Sequence, residues 1–519
     1  MSNTLKRSFA IVGALTLGAV LVVAFQNLDT ASTSTTTTSV STPSLCSVFS
    51  DQQRHLRNTL GQVFQGFGCQ TIGGTDGSEC WVKSDQDDSS PGTLRYCVEK
   101  QGLGDKNTPV VVKFDKSLAG AKIQLRKSLA FFSNTTVDGR MPLGADAVTI
   151  APARIATKNP CYPDATKSTD LLCDAKLGNP IMRGDGLATP PEFVWKTNTG
   201  TRGDLFRLRQ SHVENGKNVD DPISQVIVSD LIFTPDAPAK LPSDLNDTTG
   251  QSSVDNPCYL TQSPVTGGNA YSPRWVKGCP VMINIGGTDP KAAVRTQNIV
   301  IANNEFYHCA EKCLHGNGGS DLVTITRNHF HDSYFASLIL MSANYDVSTS
   351  ADSTYDQVAP VRYTFYHNHF ERVLRRNPRC ALYVWCHVFG NVIADWGPSK
   401  LHGFGLSGDT GPEIVAEWNF FAPPASFSDL NPAVDLSSNH YDAEGNLKDQ
   451  PQLYMGRWAL VSSTGVVSKP LTGTLYIGPT QPVATKPFDP STYYKYSTGG
   501  LSQDTYNGIV ANAGPRRLN

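Results

Sequence analysis

The chain is poor in charge. Only 17% of its 519 residues are Asp, Glu, Lys or Arg, and 44 basic residues against 46 acidic ones leave a net charge of −2. That balance gives no support to nucleic-acid binding, which wants a basic excess. No CxxC pair occurs among the 12 cysteines, so the usual spacing of a zinc cluster is missing. No long segment holds a 3.6-residue apolar period, which argues against a helical bundle.

What is present points to many turns and short strands. Gly (44) and Pro (33) are plentiful, and 39% hydrophobic residues allow a large core. Apolar alternation of period two predicts strands at Val110 to Phe114, Ile123 to Leu125, Gln225 to Phe233 and Val281 to Ile285. A short helix over residues 56–66 is expected to cap one end. At the N-terminus, Lys6 and Arg7 precede an apolar run from Phe9 to Phe25, the pattern of an export signal or, less well, of a membrane anchor. Residues 26–61 form a Ser/Thr-rich spacer with too little apolar surface to fold. An even cysteine count in an exported chain reads as disulfides, with Cys161–Cys173 and Cys258–Cys279 as plausible local pairs. Asn134 and Asn246 lie in N-x-T sequons, and a secreted, extracellular location follows if the export reading holds.

The most informative feature is an internal repeat. Five apolar-alternating strands each run into an Asn: Asn304, Asn328, Asn368, Asn391 and Asn419, at spacings of 24, 40, 23 and 28. A period in the low twenties is that of one coil of a three-strand solenoid, with a loop inserted in the long interval. Asn suits such a turn because it tolerates left-handed backbone and its amide can bond the Asn of the next coil. The reading is all-β: a right-handed single-stranded parallel β-helix over residues 62–425, followed by a C-terminal tail, 426–519, of loops and short strands packed along it.

On these elements several segments, in order, resemble polysaccharide lyase family 1, the pectate and pectin lyases. They are Gly66-Phe67-Gly68 with Gly73-Gly74, Ser90 to Arg95, Ser133 to Arg140, Gln225 to Leu231, Cys309 to Glu311, Gly318 to Asp332, His367 to Phe370, and Arg376-Asn377-Pro378-Arg379-Cys380. The likeness covers most of residues 66–425. It implies β-elimination on an acidic, uronate-containing polysaccharide. A base takes the proton beside the carboxylate, the 4-linked oxygen leaves, and positive charge must steady the carbanion. The family's arginine motif implies Arg376 as base, aimed by Pro378 into an outward groove beside Glu311 and His315.

The sequence also departs from that family. The second motif arginine falls on Ala381, with Arg379 as a substitute carboxylate contact. The family's first calcium carboxylates fall on Lys277 and Cys279; Glu311 is retained as an acidic position, but its partner four residues on is His315. The family's substrate lysine falls near Tyr334 and Phe335. Calcium wants six to eight oxygens, several from carboxylates, so the resemblance implies a Ca2+ site that this sequence largely lacks. Three readings follow: a lyase using protein cations only, as on methyl-esterified pectin; calcium recruited through the substrate; or a non-catalytic polysaccharide-binding β-helix. A β-helix hydrolase or esterase fits less well, since no Asn-Thr-Asp with an Asp-Asp pair is present. A monomer is expected. His329, His331, His367, His369 and His387 look like a metal cluster on paper, but their matching repeat positions favour stacked turn residues.

Overall fold

The structure, a computed structural model, describes residues 60–125, 128–152, 204–214, 217–235, 281–287, 294–309, 312–341, 360–397, 403–409, 411–424, 432–437, 451–469, 471 and 483–518; side chains of 211–220 and of Ser437 are not included. Three parallel sheets carry almost all of it. Sheet A has ten strands, from Ser78–Val82 to Gln452–Met455; sheet B has nine, from Lys122–Leu125 to Trp458–Leu460; sheet C has eight, from Leu129–Ala130 to Val434–Ser437. The chain passes from A to B to C and then to the neighbouring strand of A. The architecture is therefore the expected right-handed parallel β-helix. The four strands read from alternation are present, as Val110–Phe114, Lys122–Leu125, Ser224–Ser229 with Ile232–Phe233, and Val281–Ile285.

Each coil contributes the same kind of side chain to the same place. Phe233, Phe306, Phe330 and Phe370 stack inside sheet B with centroids 4.9 Å apart. That distance is the strand spacing, so each ring meets the next without a gap. The five repeat asparagines are buried and bond in file. Each Nδ2 of Asn304, Asn328, Asn368 and Asn391 donates to the Oδ1 of the next, at 3.0 to 3.1 Å. The left-handed backbone, however, falls on the residue before each Asn: Asn303, Arg327, His367, Gly390 and Trp418 have φ of 53° to 60°. The ladder thus needs Asn for its amide, and the turn's strain is carried next door.

Three expectations are corrected. Residues 60–66 are not helical, and residues 56–59 lie outside the described part. Instead they open an extended strap laid on the outer face of sheet A. Its glycines allow close approach: Gly66 has φ of 92°, and a Cβ there would sit 2.6 Å from Thr324 and Thr364, while one on Gly74 would sit 1.9 Å from Val110 O. The coils do not stop at residue 425; Gln452–Met455 and Trp458–Leu460 pair with the strands before them. The C-terminal tail holds a ten-residue helix, Gln503–Asn512, whose weak apolar pattern (only Ile509 is buried) hid it in the sequence. Residues 26–59 of the spacer, the apolar N-terminal run, Cys161–Cys173, Cys258–Cys279 and Asn246 lie outside the described residues, while Leu60, at the spacer's end, is buried. No helix among the described residues is long and apolar enough to cross a membrane.

The described disulfides are Cys80–Cys97, Cys309–Cys313 and Cys380–Cys386. Cys80–Cys97 ties the first strand of sheet A to the short helix Leu94–Val98, whose Thr93 cap accepts from Tyr96 N–H. Arg95 of that helix is buried against Asp87 at 2.7 Å, so this part of the family-like opening is structural.

Candidate active site

The outward side chains of sheet C form one row. Register sets Ala130 against Arg207, Arg207 against Asn284, and Asn284 against His315. His315 pairs with Leu338, Ile339 with Cys380 (placing Leu338 beside Arg379), then Arg379 with Ser407 and Ser407 with Asp435. With strands about 4.8 Å apart, Arg207, His315 and Arg379 recur at every second strand, about 10 Å from one to the next. Of the residues singled out from sequence, His315 and Arg379 are thus brought onto one face and one line. Arg207 and Asn284 were missed. The alternation around Arg207, between buried Phe206 and Leu208, was the available signal.

Arg379 is partly exposed and reaches Asp409 two residues beyond the paired Ser407 on the next strand, while its Nε makes no hydrogen bond. Cys380–Cys386 pins the turn that follows it, with Cα atoms 6.6 Å apart. At the lower end of the row, Asp204 Oδ2 accepts from Asn284 Nδ2 at 3.0 Å and lies 3.5 Å from Arg207 Nε; Asn317 Nδ2 donates to Asn284 Oδ1 at 2.7 Å.

Arg376 sits at the step from sheet B into sheet C, after the strand His369–Arg375 and before a cis Asn377–Pro378 bond. Its backbone is left-handed, with φ of 67°. The expected outward projection is not what is seen. Arg376 is only 9% exposed, and its guanidinium lies 4.3 Å from the centroid of the Phe335 ring. It does not pair with Glu371, which is held by His329 and Arg372. Tyr334 and Phe335, at the place of the family's substrate lysine, are both buried, and Phe335 serves as the platform for Arg376.

Arg375, beside it, was not singled out. Burial, with Arg379 adding its own positive charge, pushes the Arg375 guanidinium down to about 10, against the pull of Asp435. An arginine is a base only when such surroundings favour its neutral form. Arg379 is thus near enough to Arg375 for its charge to be felt there.

The calcium reading is met only weakly. Glu311, Lys277 and Cys279 lie outside the described residues. Among the described ones, the sheet C face offers Asp204, Asp409 and Asp435 singly, the first two beside an arginine, and never several carboxylates together. That donor set does not fit Ca2+. A separate cleft of about 550 Å³ opens between the asparagine turns and the C-terminal helix, lined by Asn303, Arg327, His367, Asn512 and Arg516 among others. It lies at the edge between sheets A and B, away from the row.

Residues 302–451 match the family model described as pectate lyase. Over that stretch the chain is similar to the pectate lyase family. That match includes His315, Arg375, Arg376 and Arg379, but not Arg207 or Asn284. A curated relative described as probable pectate lyase 9 of Arabidopsis thaliana is 26% identical over 186 residues, 34% of this chain and 37% of that protein. The match thus spans little more than a third of the relative's length. Among solved structures, the cedar-pollen major allergen jun a 1 is 18% identical, with 89% of this chain and 96% of that one covered at a TM-score of 0.48. The thermostable pectate lyase PL 47 is 15% identical, with 88% and 99% covered at 0.47.

Proposed function

We propose that this protein is an exported lyase that cleaves pectate- or pectin-like polysaccharide by β-elimination on the outer face of sheet C. The observation that carries the reading is the single outward row bearing Arg207, His315 and Arg379, of which His315 and Arg379, like the Arg375–Arg376 pair, lie in the stretch similar to pectate lyases. A polyanion laid along the helix axis would meet Arg207, His315 and Arg379 at every second strand. Arg379 and Arg207 would hold uronate carboxylates or esters. Arg376, by its place in the family motif, is the proposed base. It removes the proton on the carbon beside the carboxyl group, the pair of electrons forms the new double bond, and the 4-linked oxygen leaves.

A specific observation favours Arg375 as a second reading for the base, since burial already moves it toward neutrality. Because no calcium set fits among the described residues, the protein's own cations carry the charge stabilisation in this proposal. Methyl-esterified polymer is then the better substrate, because an ester makes its α-proton more acidic than a carboxylate does. An extracellular polymer also suits the export signal read in residues 1–25.

The test follows ultraviolet absorbance of the unsaturated product from methylated pectin and from polygalacturonate, each with calcium or with chelator. Unsaturated product from methylated pectin that survives chelator supports the reading. New reducing ends without a double bond would mean hydrolysis, and binding with neither signal would mean a non-catalytic carbohydrate-binding β-helix.

A further inference from the structure

The outer face of sheet B carries a second polar cluster. His329 and His369 pair directly across neighbouring coils, and their rings stack 4.8 Å apart at 3°. Stacking is what their repeat positions led us to expect. It accounts for the carbon faces of the two rings but not for their nitrogens. Glu371, two residues after His369, points to the same face because side chains alternate along a strand. Its Oε2 lies 3.2 Å from His329 Nε2. One donor atom from each of His329, His369 and Glu371 lies within 4.8 Å of the others.

His369 makes this more than a surface cluster. It is only 7% exposed, and it sits directly against His329 on the neighbouring coil. The neighbouring His331 is different: its ring nitrogens are taken by Asp332 at 2.7 Å and Glu305 at 3.0 Å.

We propose that His329, His369 and Glu371 form a three-ligand site for a divalent transition metal, with zinc the ion that best suits the donors. Two imidazole nitrogens and one carboxylate are a zinc-type set with a fourth position open, whereas calcium wants oxygen alone. Tetrahedral donors at about 2.1 Å from zinc stand roughly 3.4 Å apart, so small side-chain rotations close the observed gaps. Arg372 donates to Oε1 of Glu371 and, through Nε and Nη2, to Asp332 at 2.6 and 2.8 Å, leaving Oε2 for the metal. Such support of a ligating carboxylate is the usual outer layer of a metal site. The ion would clamp two consecutive coils on a face that the sheet C chemistry does not use.

The experiment is calorimetric titration of the full chain, stripped with chelator, with zinc chloride and separately with calcium chloride. The expected result is one tight zinc equivalent. His369→Ala and Glu371→Gln should weaken it roughly tenfold or more, His331→Gln should change it by less than about threefold, and calcium should not compete for it. Should His369→Ala fail to fold, His329→Gln, at a partly exposed position, carries the same test through loss of the zinc-induced rise in melting temperature. Absence of a tight zinc equivalent in the wild type would overturn the proposal. So would zinc isotherms unchanged by His369→Ala, or a melting rise unchanged by His329→Gln.

Discussion

The outer faces of sheets A and B are clad by the terminal segments of the chain, whereas sheet C takes one of its own strands, Val434–Ser437, from the C-terminal part. On sheet A, the outward row Thr136, Ile227, Val300, Thr324, Thr364, His387 and Val415 faces protein. Its threonines accept backbone N–H bonds from the N-terminal strap: Gly74 to Thr136, Gly68 to Thr324 and Phe67 to Thr364, at 2.9 to 3.0 Å. The C-terminal tail adds Phe488 and Tyr494 against Phe67, and Phe488 stacks on Trp385 at 4.9 Å. Sheet B is covered by Leu501, Tyr506 and Ile509 over Val392, Phe420 and Ala459. Sheet C instead presents Arg207, His315, Arg379 and Asp435. A solenoid repeats its interior but is free to vary its exterior, so polar side chains can collect on one face, as Arg207, His315 and Arg379 do here. Ion pairs there, such as Arg379–Asp409, add little to stability and leave the cation available to a ligand.

Substitutions can break this comparison, and the largest effect is expected at Arg376. Arg376→Lys keeps a cation but not the guanidine, and should lower the elimination rate by roughly 10²- to 10⁴-fold if this residue is the base. The readout is the initial rate of ultraviolet-absorbing product, with circular dichroism to confirm the fold. The same loss in Arg375→Lys, with Arg376→Lys nearly active, would transfer the role to Arg375.

Next in size is a purely structural effect. Asn368→Ala removes acceptance from Asn328 N–H and Nδ2 and donation to Ile325 O and Asn391 Oδ1. Leaving these buried partners unmade should cost about 3 kcal/mol or more, measured by urea unfolding, with little change in KM. Arg379→Ala should do the opposite: kcat/KM falls about 10- to 100-fold, the range expected for losing a hydrogen bond to a charged group, while the unfolding midpoint barely moves.

The smallest effect lies on the clad face and depends on pH. His387 is fully buried; its Nε2–H donates to Glu417 at 3.0 Å and its Nδ1 accepts from Tyr494 O–H at 2.6 Å, the tautomer assigned from this network. Burial, against the pull of Glu417, lowers its pKa below the usual 6.5. The unfolded chain therefore takes up a proton here before the folded one does, and stability falls as pH drops below about 6.5. His387→Gln should flatten that part of the melting-temperature profile. An unchanged profile would show that the tail does not keep this histidine dry.

Much of the solenoid was legible because its physics repeats. Alternation marked the strands, and the asparagine file marked the coil length even though the left-handed residue proved to be its neighbour. The tail helix and the coil beyond residue 425 were not legible: each has too few apolar positions for a period to emerge, and only docking against the finished coils explains them. The site was half legible. Motif order found Arg376, Arg379 and His315. Arg207 and Asn284 lie far from these in sequence and join them only through strand register, which composition and spacing do not reveal. The burial of Arg376 over Phe335 was equally hidden, because it depends on where the preceding coil places an aromatic ring.

The most direct measurement is the rate of double-bond formation on methylated pectin in chelator, comparing wild type, Arg376→Lys and Trp385→Ala. Trp385 serves as the control on the clad face. The account predicts product from wild type and from Trp385→Ala, and almost none from Arg376→Lys. No unsaturated product from the wild type, or equal rates from all three, would contradict it.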